Sequence, residues 1–167
     1  MGRIIRILVV GDGFVGKTSI IKAYLSKHPY TEERFTIGLD VEAFRVENND
    51  KIIVVIDIGG QKQFRAIAPL LINKVDVVFL VFDSTSPETL SNLKWWIGKI
   101  KSKLKGVPML LIENKIDLKR AVTDDDVKKI MKKYKKIVGY MKVSAKKYTG
   151  IEEIFEKAIE IAATRQK

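Results

Sequence analysis

A glycine-rich loop near the N-terminus carries the residues whose types and spacing most strongly indicate chemistry. Residues 11–18 are Gly-Asp-Gly-Phe-Val-Gly-Lys-Thr, which matches the pattern G-x-x-x-x-G-K-[ST]. Glycines let backbone N–H groups turn toward phosphate oxygens, and the following helix adds a favourable dipole. We predict that Lys17 reaches the β- and γ-phosphates of a nucleotide and that the Thr18 hydroxyl binds Mg²⁺. The loop alone selects no base, since ATPases and kinases also carry it.

Two later segments place polar groups at the ends of predicted strands. They are Asn114-Lys115-Ile116-Asp117 and Ser144-Ala145-Lys146. An Asp carboxylate in the first segment can accept hydrogen bonds from the N1–H and 2-amino group of guanine, a donor pair that adenine lacks. A backbone N–H in the second segment can donate to guanine O6. Because ligands of open α/β sheets bind at the carboxyl ends of the strands, the ordered set predicts a guanine nucleotide site.

Apolar runs of strand length alternate with amphipathic stretches along the chain. The predicted strands are residues 4–10, 39–46, 52–56, 75–82, 107–112 and 140–143. The predicted helices are residues 18–25, 90–104, 127–134 and 151–161, with Thr123 as the N-cap of the third. Continuous apolar runs are typical of parallel strands covered on both faces. The pattern therefore predicts an α/β fold with a mainly parallel sheet.

Composition restricts the class of protein further. The 167 residues suit a single domain, 1–167, and no apolar run approaches the length of a membrane span. Because these residues include no cysteine, we expect no disulfide, thiolate metal site or prenylated C-terminus. Without a signal-peptide pattern, we also expect a cytoplasmic protein. The net charge of +11 fits either a lysine-rich solvated surface or an anionic partner.

With these motifs in this order, the chain resembles the Ras-like small GTPases over essentially its whole length. The resemblance implies a P-loop NTPase G domain, in which a six-stranded, mainly parallel sheet has helices on both faces and binds GTP or GDP with Mg²⁺. It implies that Asp117 recognises the guanine and that Asn114 ties the base loop to the phosphate loop. Lys115 and Lys146 would pack along the base, and the Ala145 N–H would meet O6.

The resemblance also implies two switch segments. Thr36, nineteen residues after Lys17, resembles the switch I threonine that contacts Mg²⁺ and the γ-phosphate. In switch II, Asp57 would hold Mg²⁺ through water, the Gly60 N–H would sense the γ-phosphate and Gln61 would orient the attacking water. The catalytic residues are then Gln61, Lys17 and Thr36, and the metal-binding residues are Thr18, Thr36 and Asp57. The nucleotide-binding residues are Asp12, Gly13, Phe14, Val15, Gly16, Lys17, Thr18, Ser19, Tyr30, Thr36, Gly60, Asn114, Lys115, Asp117, Ser144, Ala145 and Lys146.

Several positions depart from the family pattern. Pro29 stands where relatives place a Phe that stacks on the guanine, which leaves its neighbours His28 and Tyr30 as the two candidates to cover the base. His28 is the single histidine of the chain, and the alternative for it is a plain loop residue. Gly59 precedes Gly60 as in the Arf branch, and Lys62 replaces the customary Glu. Arg34, two residues before Thr36, suggests the hypothesis of a catalytic arginine in cis.

Three functions remain open at this point. The first is a slowly hydrolysing GTPase switch whose effector, activating and exchange proteins bind the switches. The second is a nucleotide-binding scaffold with little hydrolysis, and the third is an ATP-using P-loop enzyme. Lysines on two helices provide either a solvated surface or a contact with anionic membrane or RNA. These lysines are Lys94, Lys99, Lys101, Lys103, Lys105, Lys128, Lys129, Lys132, Lys133, Lys135 and Lys136.

Overall fold

A computed structural model describes residues 3–34 and 41–165 of the chain. Its strands are β1 (Arg3–Val10), β2 (Tyr30–Arg34), β3 (Val41–Asn48), β4 (Lys51–Ile58), β5 (Val77–Asp83), β6 (Met109–Asn114) and β7 (Ile137–Lys142). Its helices are α1 (Lys17–Leu25), α2 (Gln61–Leu71), α3 (Pro87–Ser91), α4 (Leu93–Lys103), α5 (Asp124–Lys133) and α6 (Ile151–Arg165). Among the described residues, no helix is long and apolar enough to cross a bilayer.

All the described strands form one sheet, in the order β2-β3-β4-β1-β5-β6-β7. The pairs β4-β1, β1-β5, β5-β6 and β6-β7 are parallel, whereas β2-β3 and β3-β4 are antiparallel. The α/β fold with a mainly parallel sheet is therefore confirmed.

Both faces of the sheet are buried, which explains the continuous apolar runs. In β1, Ile7 and Val9 belong to a core that includes Tyr24 of α1 and Phe155 of α6. Leu8 and Val10 of β1 belong to a second core, on the opposite face, that includes Trp96 of α4. Successive side chains of a strand point to opposite faces, so each must be apolar when helices cover both.

The strand count differs from the six that the resemblance implies, because β2 adds a seventh strand. It pairs antiparallel with β3, from Tyr30 opposite Val46 to Arg34 opposite Glu42. The sequence of β2 is Tyr-Thr-Glu-Glu-Arg, which lacks the apolar alternation of a core strand. An edge strand satisfies its backbone on one side only and can remain polar, so hydrophobic patterning did not reveal it.

Helix α2 was not among the predicted helices, although its sequence carries the signal. Phe64, Ile67, Ala68 and Leu71 are buried at helical spacing. Pro69 interrupts that pattern and normally argues against a helix interior. The predicted helix 90–104 is instead two helices, α3 and α4, that meet at Asn92.

Candidate nucleotide site

The loop between β1 and α1 depends on two glycines that cannot be replaced without displacing neighbouring atoms. A Cβ on Gly11, at φ 147°, would lie 2.3 Å from the carbonyl oxygen of Val81. A Cβ on Gly16, at φ 96°, would lie 2.2 Å from Nδ2 of Asn114. Both φ values are in a region that side chains rarely adopt. Gly16 thus lets the phosphate loop approach the base loop within contact distance.

Lys17 is held inside this loop by its own backbone. Its Nζ donates to the carbonyl oxygens of Gly11 at 2.8 Å and of Asp12 at 2.9 Å, and the residue is 7% exposed. Burial lowers the pKa of the ammonium, an effect opposed by the charges of Asp57 and Asp12. The cation is therefore fixed at the rim of the loop, where a phosphate group can reach it.

Thr18 and Asp57 form the pair that fits a divalent cation. The Thr18 hydroxyl donates to Oδ2 of Asp57 at 3.0 Å. Oδ1 of Asp57 is buried, with no hydrogen-bond partner among the described residues. Burial raises the pKa of this carboxyl, although Thr18 and the charge of Lys17 act in the opposite direction. An unpaired oxygen beside a hydroxyl suits Mg²⁺, which binds few protein oxygens and keeps phosphate and water ligands.

The base loop, residues 114–120, is tied to the phosphate loop through Asn114. Its Nδ2 donates to the carbonyl oxygen of Val15 at 2.9 Å, and its Oδ1 accepts the Ala145 N–H at 3.2 Å. Lys115 adds a second tie, since its Nζ donates to the carbonyl oxygen of Phe14 at 2.7 Å and pairs with Asp83 at 2.9 Å. The Ala145 N–H, which we expected to meet guanine O6, is thus already bonded to the base loop.

Asp117 lines a cavity of about 330 Å³. The Ser144 hydroxyl donates to Oδ1 of Asp117 at 2.7 Å, and this bond, with smaller contributions from the charges of Lys146 and Lys147, lowers the pKa of the carboxyl. The ionised form accepts hydrogen bonds only, which is the property that guanine recognition requires. The cavity is lined by Gly16, Ser19, Asn114, Lys115, Asp117, Leu118, Ala145 and Lys146.

A second cavity, of about 430 Å³, lies over the phosphate loop. It is lined by Phe14, Gly16, Lys17, Thr18, Ser19 and Lys115. Three of these residues, Gly16, Ser19 and Lys115, also line the first cavity. The two cavities are therefore neighbouring parts of one cleft with a phosphate end and a base end.

Other predicted residues do not line either cavity. Asp12 accepts a hydrogen bond from Asn92 at 2.7 Å, Gly13 is exposed and Val15 is buried beneath the loop. Gly60 is the N-cap of α2, and the exposed Gln61 is the first residue of that helix.

Two predicted residues are not brought to the described cleft. Tyr30 lies in the edge strand β2, half exposed, with its ring edge-on to Phe44 at 6.0 Å. His28 pairs with Glu152 at 2.7 Å instead of remaining a plain loop residue. Thr36 lies outside the described residues, as does the side chain of Arg34, and the described lining of the base cavity contains no aromatic ring.

A buried carboxylate behind the base loop was missed from the sequence. Glu113 is fully buried at the end of β6 and accepts hydrogen bonds from Arg120, Tyr140 and Ser84. Burial alone would raise its pKa, but these bonds lower it below the usual value. A charged residue inside the apolar run of β6 was the available signal, since such residues are almost never buried unless paired.

The fold and the cleft define a P-loop nucleotide-binding protein. The sequence model of the Ras family matches residues 6–164. The chain is 29% identical over 161 residues to Ras-related protein Rab-18 of Lymnaea stagnalis, covering 93% of this chain and 79% of that protein. It is 31% identical over 170 residues to Rho-related protein racE of Dictyostelium discoideum, covering 94% and 76%. The chain therefore belongs to the Ras family and is a small GTP-binding protein.

Proposed function

We propose that this protein cycles between GTP and GDP states, hydrolyses GTP slowly and changes its protein partners with the bound nucleotide. The observation that carries this proposal is the cleft whose phosphate and base ends share Gly16, Ser19 and Lys115. One end presents Lys17 and the other presents Asp117, so that a single guanine nucleotide spans both.

Guanine selection rests on the carboxylate of Asp117. The bond from Ser144 fixes one carboxylate oxygen and stabilises the ionised form, because it lowers the pKa. An ionised carboxylate accepts from both the N1–H and the 2-amino group of guanine, whereas it meets no matching donor pair on adenine. A bound base would cover the Asp117 carboxylate, and an acceptor that is covered without a donor is costly, so the wrong base is disfavoured.

Phosphate binding rests on Lys17, Thr18 and Asp57. The buried Lys17 ammonium exchanges its contacts with loop carbonyls for phosphate oxygens. The Thr18 hydroxyl, and the Asp57 carboxylate through water, would hold Mg²⁺, which would neutralise phosphate charge. Backbone N–H groups of residues 13–18 and the dipole of α1 complete the anion site.

Hydrolysis rests on Gln61, which is exposed at the start of α2 and free to orient a water molecule for in-line attack. We assign the γ-phosphate contacts to Thr36 and to the Gly60 N–H, so that loss of this phosphate releases both switch segments. Ras hydrolyses GTP at roughly 10⁻⁴ s⁻¹ unaided, and a supplied arginine adds about 10³- to 10⁵-fold. We expect similarly slow turnover here until an activating protein binds.

The test combines affinity with turnover. Affinities for GTP, GDP and ATP are measured with and without Mg²⁺, and single-turnover hydrolysis is followed in the wild type, Gln61→Leu and Gln63→Leu. We expect micromolar or tighter binding of guanine nucleotides only, with hydrolysis abolished by Gln61→Leu and retained by the control Gln63→Leu. Preferential ATP binding would contradict the assigned base, and wild-type turnover by Gln61→Leu would contradict the role of Gln61.

A further inference from the structure

Positively charged side chains are concentrated at the end of the sheet opposite the nucleotide cleft, where the parallel strands begin. Helices α4, α5 and α6 run back along the sheet, so their C-terminal ends lie where the parallel strands β6 and β7 begin. We name this region the basic edge. It comprises Lys101, Lys103, Lys105, Lys133, Lys135, Lys136, Lys157 and Arg165.

Contacts across elements show that these residues are neighbours. A groove of about 360 Å³ is lined by Lys136, Lys157 and Arg165, together with apolar residues of β7 and α6. A second groove, of about 280 Å³, is lined by Lys103, Lys105 and the same Arg165. The two grooves therefore adjoin at Arg165 and form one continuous surface.

Two more lysines join this surface around one aromatic ring. Lys101 of α4 and Lys133 of α5 lie 5.8 Å and 5.3 Å from the centre of the Tyr134 ring. The only ion pair within the basic edge, among the described residues, is Lys157 with Glu160 at 3.6 Å. Most of this positive charge is thus left without a carboxylate partner.

Helix capping does not account for the whole set. Lysines in a last turn stabilise the C-terminal end of a helix, as Lys103 and Lys133 do. Lys105, Lys135 and Lys136 lie beyond the last helical residues, where that benefit fades. At the other end of α5, by contrast, Asp124, Asp125 and Asp126 offset the nearby lysines. The charge is concentrated at one end of these helices.

Exposed aliphatic side chains lie among the cations. Ile72 is 49% exposed and lines the smaller groove, and Val138 is 48% exposed and lines the larger one. Tyr134, the aromatic ring of this region, packs against the core and faces Lys101 and Lys133. A single-stranded nucleic acid needs free aromatic faces for stacking, whereas a bilayer interface accepts aliphatic side chains between lysines.

We propose that the basic edge docks on an anionic lipid bilayer. Lysines attract an anionic leaflet within a Debye length, and Ile72 and Val138 enter the interfacial region. Because the nucleotide cleft lies at the opposite end of the sheet, at the carboxyl ends of the parallel strands, docking leaves it open to water and to partner proteins. The proposal goes beyond the nucleotide switch and does not depend on it.

The experiment compares sedimentation with vesicles of phosphatidylcholine alone and vesicles containing about one third phosphatidylserine. The edge variant carries Lys103→Gln, Lys105→Gln, Lys135→Gln and Lys136→Gln. The control variant removes the same charge elsewhere, through Lys22→Gln, Lys94→Gln, Lys128→Gln and Lys129→Gln. All eight side chains are exposed, so neither variant disturbs the core.

We expect the wild type and the control to bind the anionic vesicles at low salt and the edge variant to bind at least tenfold more weakly. Added salt weakens binding, and Ile72→Ser with Val138→Ser removes the part that resists salt. Equal losses in both lysine variants would overturn the proposal, as would no binding to anionic vesicles or tighter binding to single-stranded RNA at the same salt. Nucleotide affinity, measured in parallel, stays unchanged in the edge variant.

Discussion

The Glu113 carboxylate and the Arg120 guanidinium pair directly behind the base loop. Nε of Arg120 lies 2.9 Å from Oε2 of Glu113 and NH2 lies 3.2 Å from Oε1, while NH1 reaches Asp124 at 2.7 Å. Glu113 precedes the loop that carries Asp117, and Arg120 ends it. The pair therefore holds the two ends of this loop together and limits where Asp117 can lie.

Removal of Arg120 is the first test of this pair. Arg120→Ala leaves the Glu113 charge buried without its cation, and we expect the free energy of unfolding to fall by about 2 to 3 kcal/mol, less than for a fully buried pair because Arg120 is 30% exposed. Chemical denaturation of Arg120→Ala, Glu113→Gln and the double variant measures the coupling. The double variant should recover part of the loss, and strict additivity of the two changes would argue against the pairing.

Acid should weaken the protein through the same carboxylate. The pKa of Glu113 is held below its usual 4.5, so the charged form stabilises the folded state above that pH. This stability is lost as the pH falls through the lowered folded value. Thermal unfolding between pH 6 and pH 3 should therefore show a steeper acid decline in the wild type than in Glu113→Gln. Parallel curves would show that Glu113 has no part in the acid response.

Asp57→Asn should separate stability from cation binding. Burial raises the pKa of Asp57, so its ionised form is disfavoured in the folded protein, and a neutral amide of the same shape should stabilise the nucleotide-free chain by roughly 0.5 to 2 kcal/mol. The same change removes the charge that binds Mg²⁺. Denaturation of the nucleotide-free protein and titration of GDP with and without Mg²⁺ test both effects. A Mg²⁺ response as large as in the wild type would exclude Asp57 from the metal site.

Asp117→Asn should change which base is bound. The amide offers a donor where the carboxylate offered an acceptor, and xanthine carries a 2-carbonyl where guanine carries an amino group. We expect affinity for GDP to fall at least a hundredfold, while xanthosine diphosphate becomes the tighter ligand. Competition between the two nucleotides, measured in the variant and the wild type, gives the ratio. An unchanged preference would place the base elsewhere.

Phe14 combines an exposed side chain with a strained backbone. The ring is 97% exposed and the backbone φ is 67°, a conformation that costs a residue with a Cβ about 1 to 2 kcal/mol. Phe14→Gly should therefore raise the free energy of unfolding by up to about 1 kcal/mol, after the extra chain entropy of glycine. Phe14→Ala, which keeps the Cβ, serves as the control and should be close to neutral. Equal effects of the two changes would refute the strain.

The motifs could be predicted because their geometry is local. The spacing within Gly11–Thr18 fixes a strand, a turn and a helix, and Asn114–Asp117 follows directly on an apolar strand. The hydrogen bond that Tyr140 donates to Glu113 could not be predicted, since Tyr140 lies on the neighbouring strand β7. The bond from the Ala145 N–H to Asn114 likewise exists only after two distant loops meet.

The residue that covers the guanine could not be predicted from the sequence either. The position of Pro29 raised the question of which ring covers the guanine, and His28 and Tyr30 were the candidates. Pairing of β2 with β3 fixes the direction of Tyr30, and that pairing depends on backbone hydrogen bonds at a sheet edge, which side-chain patterning does not encode.

A Cβ on Gly16 would lie 2.2 Å from Nδ2 of Asn114, so the phosphate and base loops are in direct contact at this point. The phosphate and base loops are fastened by Asn114 to Val15 and by Lys115 to Phe14, without a spacer between them. A force that spreads these loops must break several contacts together, whereas Gln61 is exposed at the first residue of α2. The phosphate and base ends of the cleft are thus fastened together as one unit.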